Sequence, residues 1–229
     1  MLHRYRIPHT FVEFGFSGWE FNCASLAQDW EGLLLDADAY NIKIAKSIWG
    51  DNITAKRMWI TLESLDEVVQ WVGSKALGIL SIDVDGNDYW FLQRLISLRP
   101  AIIIAEYNSS FGLRPITVPY EADFDRLEKH PTHTYYGASL SAFDFLARQN
   151  GYSLIEIGIA GVNAFFVRDD LLTGDDVILR PQCAFREKMF LDGSRPSEQW
   201  ERIKHLSYVS VESASDSLGD GFSVHRAMA

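Results

Sequence analysis

The sequence has little of what marks disulfide-stapled, zinc-binding or nucleic-acid-binding proteins. Its two cysteines, Cys23 and Cys183, are far apart and form no CxxC or Cys/His pattern. That scarcity argues against a disulfide framework and a structural zinc site, and it fits a reducing compartment, so we expect a cytoplasmic protein. The formal net charge is −10, with no run of basic residues. Because phosphate contacts need clustered Lys and Arg, we expect no nucleic-acid partner.

Long apolar runs and internal repeats are also absent. The longest apolar runs, such as residues 101–105, have the length of a strand and are far too short to span a membrane. Residues 1–10 include basic side chains, but no apolar stretch follows them as in a signal peptide. Hydrophobic residues make up 47% of the chain and charged residues 23%, which is typical of one globular α/β domain.

Strand and helix patterns alternate along the chain, which predicts an α/β fold with a mostly parallel sheet covered on both faces. The predicted strands are residues 11–14, 32–35, 53–60, 78–82, 101–105, 152–157 and 162–167. The predicted helices are residues 20–30, 38–49, 62–72, 89–98 and 139–150. The last two strands are joined by a glycine-containing turn, so we expect them to be antiparallel.

Two segments stand apart from this alternation. Residues 109–136 show no clear periodicity, and a stretch of that length inside a compact domain is usually a lid or a binding loop, so we predict an acceptor or lid loop there. Residues 207–229 are rich in Ser, Asp and Gly and are predicted to be a polar, mobile tail. The sequence therefore predicts a single domain over residues 1–206.

The turn after the first strand and the end of the second strand indicate a nucleoside ligand. Gly15 and Gly18 would let the backbone turn tightly and approach a ligand closely, although such a turn is also ordinary architecture. Asp36 follows the second strand, and a carboxylate there can accept two hydrogen bonds from a ribose diol. Ser17 occupies the middle glycine position of G-x-G-x-x-G, which argues against a dinucleotide. The combination of this glycine turn with Asp36 favours a ligand that has a ribose but no phosphate.

Acidic and amide side chains follow the fourth and fifth strands. Asp83 and Asp85 alternate onto one face of an extended chain, as do Glu106 and Asn108. If these strands are neighbours, three carboxylates and an amide oxygen meet at one edge of the sheet. Like charges that close need a counter-charge, and Mg²⁺ bound by these four residues is the simplest one. The alternative is that one acid contacts the cofactor while the others cap helices or face water.

Two histidines in the predicted loop are candidate general bases. His130 and His133 lie where an acceptor would enter, and neutral imidazole titrates in the useful range. The alternative is that both are solvated loop residues.

Six segments together resemble the class I S-adenosylmethionine-dependent methyltransferases, in particular the FkbM-like and sugar-modifying type, over residues 11–170. They are V-E-F-G-F-S-G at 12–18, L-L-L-D-A-D at 33–38, L-S-I-D-V-D-G-N-D-Y-W at 80–90, I-I-A-E-Y-N-S-S-F-G at 103–112, Y-G-A-S-L at 136–140 and G-V-N-A-F-F-V-R at 161–168. The resemblance implies a Rossmann-like fold with a seven-stranded, mostly parallel sheet whose last strand is antiparallel and whose faces both carry helices.

The resemblance also implies site residues. The turn that would face the methionine part of the cofactor contains Glu13, Gly15, Phe16, Ser17 and Gly18. Asp36 would hold the ribose with Ala37 and Asp38 beside it, and residues 61–65 would lie near the adenine. Asp83 would lie at the reaction centre. In metal-dependent members of the wider class, the ligand positions match Asp83, Glu106 and Asn108, and Asp85 could replace either carboxylate.

The predicted reaction is methyl transfer from S-adenosylmethionine to a hydroxyl group of a saccharide or another small polar acceptor. A sugar hydroxyl is a poor nucleophile, so a base or a metal is needed to acidify it. Two other functions remain open, an inactive methyltransferase-fold scaffold or partner subunit and an NAD-dependent oxidoreductase, which the glycine turn opposes. Related enzymes usually carry a helix before the first strand that closes over the cofactor. Since only about ten residues precede Phe11, we expect the lid from elsewhere, for example from a second copy in a homo-oligomer.

Overall fold

A computed structural model of the chain describes residues 4–17, 21–188 and 192–211 and the backbone of residues 225–226. The strands are β1 (Thr10–Phe14), β2 (Glu31–Asp36), β3 (Ile53–Arg57), β4 (Ile79–Ile82), β5 (Ile102–Glu106), β6 (Ile116–Thr117), β7 (Tyr152–Ile157), β8 (Asn163–Arg168), β9 (Ser207–Ser210) and β10 (His225–Arg226). The α-helices are α1 (Ala39–Ile48), α2 (Leu65–Val72), α3 (Asp88–Leu95), α4 (Arg126–Lys129), α5 (Leu140–Gln149), α6 (Pro181–Ala184) and α7 (Pro196–Ile203).

Seven of the described strands form one sheet in the order β3-β2-β1-β4-β5-β8-β7. All neighbours are parallel except β8, which runs antiparallel to both β5 and β7. The strand order reverses at β1, where Val12 pairs with Leu33 on one side and with Leu80 on the other. This order with an antiparallel last strand is that of the Rossmann-like methyltransferase fold, so the predicted fold class is confirmed.

The sheet is covered on both faces, which explains why its central strands are almost continuously apolar. One core cluster packs the inner side chains of α2, α3 and α5 against the sheet, with Leu65, Leu92 and Phe143 fully buried. A second cluster packs α1 and residues 21–30 against the opposite face. No helix in the described part of the chain is long and apolar enough to cross a membrane.

The predicted helix over residues 20–30 is wrong within the residues described from 21 onward. Residues 22–29 are successive turns, and their hydrogen bonds mix two spacings, since the Leu26 and Ala27 N–H groups both donate to Cys23 O. Cys23, Ala27 and Trp30 are buried at helical spacing. The apolar spacing therefore predicts which side chains face the core, and irregular turns bury these side chains as well as a helix would.

A small second sheet corrects the predicted start of the polar tail at residue 207. β9 pairs antiparallel with β6 from the predicted loop, and its Tyr208 packs against Phe111 and Tyr135. The polar residues around Tyr208 predicted a tail, but burial of the Tyr208 side chain stabilises an ordered strand there. Residues 212–224 and 227–229 of the predicted tail lie outside the described residues.

Candidate functional site

A cavity of about 660 Å³ opens at the carboxyl edge of the sheet, where β1, β2 and β4 end and the strand order reverses. Open α/β sheets bind ligands at this position, and the volume is that of an ordinary small-molecule site. Most of the residues predicted from the sequence line it. They are Gly15, Phe16, Ser17, Asp36, Ala37, Asp38, Asp83, Asp85 and His133.

The turn after β1 needs glycine at position 15. Gly15 has a φ of +65°, and a Cβ there would lie 1.5 Å from the carbonyl oxygen of Asp83. The Gly15 N–H also donates to Leu35 O at 3.0 Å. The turn is thus folded tightly between the ends of β2 and β4. Gly18, the second predicted glycine, lies outside the described residues.

Asp36 connects the turn after β1 to the turn after β2. Its carboxylate accepts the N–H of Phe16 at 3.2 Å through one oxygen and the N–H of Asp38 at 2.6 Å through the other. Burial raises the pKa of this carboxyl above its usual range. Asn41 Nδ2 also donates to the Oδ1 that accepts the Asp38 N–H, at 3.4 Å, so Oδ2, which accepts the Phe16 N–H, has a further lone pair for a hydroxyl of a diol in the cavity.

Glu13 is not among the residues that line the cavity. Its two carboxylate oxygens accept the N–H groups of Asn22 at 2.8 Å and Cys23 at 2.9 Å. The side chain is 1% exposed, and burial raises its pKa to about 7. Glu13 therefore holds the start of the segment behind the turn and lies outside the cavity that the other residues predicted in this turn line.

Three of the four predicted metal ligands come together. Oxygen atoms of Asp83, Asp85 and Glu106 lie within 4.8 Å of one another, because β4 and β5 pair in parallel as the sequence analysis required. Burial raises the pKa of Asp83, and the neighbouring Glu106 raises it further by charge and by a hydrogen bond between the two carboxyl groups. Burial also raises the pKa of Glu106. The pair therefore favours one shared proton.

Basic side chains supply the counter-charges that the sequence analysis assigned to a metal. Arg126 forms an ion pair with Asp85, and its guanidinium lies over the ring of Tyr136 at 4.0 Å from the centroid. Lys188 Nζ lies 3.6 Å from an oxygen of Glu106. The oxygen donors themselves suit a hard divalent ion. With two cations and a shared proton already present, however, three carboxylates need no metal for charge balance.

The fourth predicted ligand, Asn108, is engaged elsewhere. Its amide oxygen accepts the N–H of Ser110 at 2.9 Å, and its amide nitrogen donates to the carbonyls of Thr134 and Tyr136 at 2.8 and 2.9 Å. The side chain is buried and joins the two ends of the predicted acceptor loop. Asn108 thus anchors the loop rather than facing the carboxylate cluster.

The last residues of the D-V-D-G-N-D segment also hold loops. Asp88 accepts the N–H groups of Val84 and Gly86 at 2.8 and 2.9 Å, and burial raises its pKa to about 6. Asn87 donates to the carbonyl of Glu121 at 2.8 Å and so ties the acceptor loop to the start of α3. Asp88, which was not among the predicted ligands, therefore holds the backbone of the turn before α3.

The two candidate histidines differ in position. His133 is exposed and lines the cavity, with a left-handed φ of 54°. His130 does not line it, and its Nδ1 lies 2.8 Å from Thr132 Oγ1. Burial lowers the pKa of His130, and the nearby His205 lowers it further. Of the two histidines, only His133 lines the cavity that Asp83 and Asp85 also line.

Several lining residues were not anticipated from the sequence. Met58, Trp59 and Ile60 line the cavity where residues 61–65 had been expected beside the adenine. The predicted third strand extended to residue 60, whereas β3 ends at Arg57, so the residues after the strand end were misplaced by three positions. Arg126 had no signal in the sequence, because the loop that carries it lacks periodicity.

No protein-family model matches the chain, and no curated protein matches it. Among solved structures, the N-terminal domain of EvdMO1 with SAH bound is similar to it with 11% identity and a TM-score of 0.42, over 69% of this chain and 72% of that one. The same domain in the presence of SAH and D-fucose has 14% identity and a TM-score of 0.41, over 69% and 73%. M. jannaschii TYW2 in complex with AdoMet has 14% identity and a TM-score of 0.31, over 72% of each chain. Likenesses this low do not decide function, and the fold assignment rests on the strand order.

Proposed function

We propose that the protein is an S-adenosylmethionine-dependent methyltransferase that methylates a hydroxyl group of a saccharide or another small polar acceptor. One observation carries the proposal. Asp36, suited to a ribose diol, and Asp83, at the expected reaction centre, line the same cavity on either side of the Gly15 turn. That arrangement can hold an adenosine at the point where the sheet order reverses.

The remaining walls of the cavity suit the parts of such a cofactor. Met58, Trp59 and Ile60 offer apolar surface for an adenine, and the Gly15–Ser17 turn lies towards Asp83. The carboxyl oxygens of Asp83 and Asp85 lie on the side of the cavity where a sulfonium would lie. S-adenosylmethionine supplies an electrophilic methyl group when bound, and the protein must then position and deprotonate the acceptor.

Asp83 is proposed as the base and Glu106 as a positioning residue. In that role Asp83 would accept the proton of the acceptor hydroxyl, whose oxygen would take the methyl group that a bound S-adenosylmethionine would supply, with S-adenosylhomocysteine as the leaving group. Glu106 takes over the proton that the two carboxyl groups share. Burial and the neighbouring Glu106 raise the pKa of Asp83, so its carboxylate would be a stronger base than that of an ordinary aspartate. His133 is the second candidate base, since it also lines the cavity.

Calorimetric titration with S-adenosylmethionine and S-adenosylhomocysteine tests the cofactor. We expect micromolar binding by the full chain, weakened about tenfold in Asp36→Asn, as for loss of a hydrogen bond to a charged group. Asp29→Asn is the matched control, because Asp29 is exposed and lies outside the cavity. Absence of binding by the wild type would overturn the proposal, and thermal melts would check that each variant is folded.

Activity on a panel of saccharides and polyols tests the chemistry. Asp83→Asn should retain S-adenosylhomocysteine binding but lose turnover, and full activity in that variant would disprove its role as a base. Repeating the assay with Mg²⁺ and with EDTA separates metal-assisted from metal-free transfer. Dependence on Mg²⁺ would show that the transfer is metal-assisted. Cofactor binding without transfer to any acceptor would favour the inactive scaffold instead.

A further inference from the structure

The acceptor loop is held from two sides of the cofactor cavity. Trp59 lies two residues after β3, and its Nε1–H donates to the carbonyl of Ala122 at 2.8 Å. Asn87 follows β4, and its side-chain N–H donates to the carbonyl of Glu121 at 2.8 Å. Both side chains line the cavity. Neighbouring residues of the loop are therefore bound to the segment after β3 and to the segment after β4.

The strands between these two segments carry the residues proposed to bind the cofactor. β1 and β2 lie between β3 and β4 in the sheet, and they end at the Gly15 turn and at Asp36. Residues 124–127 of the loop line the same cavity as Gly15 and Asp36. Residues 120–127, which we call the cover segment, therefore lie across the ends of β1 and β2, over the space for the proposed cofactor.

The cover segment is anchored firmly on the β4 side. Phe124 is 6% exposed, and a Cβ at Gly86 would lie 2.4 Å from its ring, so the two residues are packed in close contact. Arg126 adds its ion pair with Asp85. Asn87, which holds Glu121, is itself buried. Opening this side would expose apolar surface and separate charges.

The contacts on the β3 side are more accessible to water. The Leu62 N–H donates to the Tyr120 hydroxyl at 3.0 Å, and both residues are half-buried. Trp59, which holds Ala122, is 52% exposed. Because water can replace the partners of such hydrogen bonds, they open more readily than a buried anchor does. The cover segment would therefore open on the side of Trp59 and Leu62.

We infer that the cover segment is the lid of the cofactor cavity and that Tyr120 is a positioning residue that holds it closed. Tyr120 does not line the cavity, so it acts on a ligand only through the segment. The identity of the ligand rests on the proposed function. S-adenosylmethionine would enter and S-adenosylhomocysteine would leave under the open segment. The same chain then supplies the lid that the sequence analysis expected from elsewhere.

Removing the Tyr120 hydroxyl should change the rates of ligand exchange without changing the affinity. The Leu62–Tyr120 hydrogen bond belongs to the closed segment whether or not a ligand lies beneath it, so its loss favours opening equally in the free and bound protein. Entry and release should both accelerate about fivefold, as for loss of one neutral hydrogen bond, and Kd should stay the same. A side chain that only supported the cavity would change Kd instead.

Stopped-flow tryptophan fluorescence of the full chain with S-adenosylhomocysteine tests the inference. We expect both rate constants to rise about fivefold in Tyr120→Phe. Tyr152→Phe is the matched control, because the Tyr152 hydroxyl donates to Pro100 O at 2.7 Å at the opposite edge of the sheet. That variant also loses one hydrogen bond, and it should keep the rate constants of the wild type. Amide hydrogen exchange of the ligand-free proteins should be faster in residues 120–127 of Tyr120→Phe alone.

Three outcomes would overturn the inference. They are a weaker Kd with an unchanged association rate in Tyr120→Phe, rate constants no different from those of Tyr152→Phe, and unchanged amide exchange in residues 120–127. The proposed function fails separately. No binding of S-adenosylhomocysteine by the wild type would overturn both proposals, whereas binding with unaltered rates in Tyr120→Phe would overturn only the lid.

Discussion

Replacing Glu13 by Gln should change how the stability of the protein depends on pH. Glu13 experiences two opposing effects: burial disfavours its charged form, whereas hydrogen bonds from the Asn22 and Cys23 N–H groups favour it. Burial is the larger effect and raises the pKa from 4.5 to about 7. The folded protein therefore binds a proton more tightly at this side chain than the unfolded chain does.

The sign of the effect follows from that difference. Below the unfolded pKa both states carry the proton, and the stabilisation from Glu13 is fully present. As the pH rises towards 7, the unfolded chain releases the proton first, so the free energy of unfolding falls. A shift from 4.5 to about 7, at roughly 1.4 kcal/mol per pKa unit, corresponds to a loss of about 3 kcal/mol between about pH 4 and pH 8.

Glu13→Gln cannot titrate and keeps the shape of the side chain. Relative to the wild type, the variant should therefore gain about 3 kcal/mol of stability as the pH rises over this range. Urea unfolding of both proteins at a series of pH values measures the difference, in which other titrating groups cancel. If the variant instead loses stability relative to the wild type at higher pH, the two N–H donors outweigh burial and the reasoning is refuted.

Three further substitutions test the site. Gly15→Ala should abolish S-adenosylhomocysteine binding and lower the melting temperature, because the left-handed conformation alone costs about 1–2 kcal/mol and the new Cβ meets the Asp83 carbonyl. Asn108→Ala should cost about 3 kcal/mol in urea unfolding, since three loop backbone groups lose their partner at roughly 1 kcal/mol each. Arg126→Gln should tighten Mg²⁺ binding in calorimetry, because Asp85 loses its counter-charge.

Each of these predictions has a contrary outcome. Gly174→Ala is the control for the glycine substitution, because a Cβ there would meet nothing within 4 Å. Equal effects of the two glycine variants would contradict the role of close packing. An unchanged unfolding curve for Asn108→Ala would mean that the loop is held in another way. Arg6→Gln is the control for Arg126→Gln, because Arg6 is exposed and lies outside the cavity. Mg²⁺ binding no tighter in Arg126→Gln than in Arg6→Gln would contradict the prediction.

Much of the sheet could be predicted from the sequence because strands buried on both faces leave a continuous apolar signature. β2 and β5 were found within one residue at each end for this reason. The turns at residues 22–29 and the small sheet of β6 and β9 could not be predicted in the same way. Helical spacing does not specify helical hydrogen bonds, and a two-residue strand has no periodicity to detect.

For the candidate site, the rule that side chains after parallel strands converge placed Asp36, Asp83 and Asp85 at the cavity correctly. It could not say which way each side chain turns after the strand ends. Asn108 turns back to the loop backbone, and Arg126 reaches the cluster from a segment without any pattern. Such contacts depend on tertiary packing, so the sequence could not predict that Arg126 and Lys188 are the counter-charges of the carboxylates.

The pairing of β6 with β9 has a consequence for the order of folding. All contacts among β1 to β5 lie within the first 106 residues, so this part of the sheet can form from local βαβ units while the chain is being made. β6 bridges Ala138 near the end of the same loop, but its partner strand, Ser207–Ser210, lies about a hundred residues further along the chain. Contacts of such long sequence separation form slowly. The newly made protein would therefore complete the Gly15 side of the cavity first and the wall formed by residues 109–136 last.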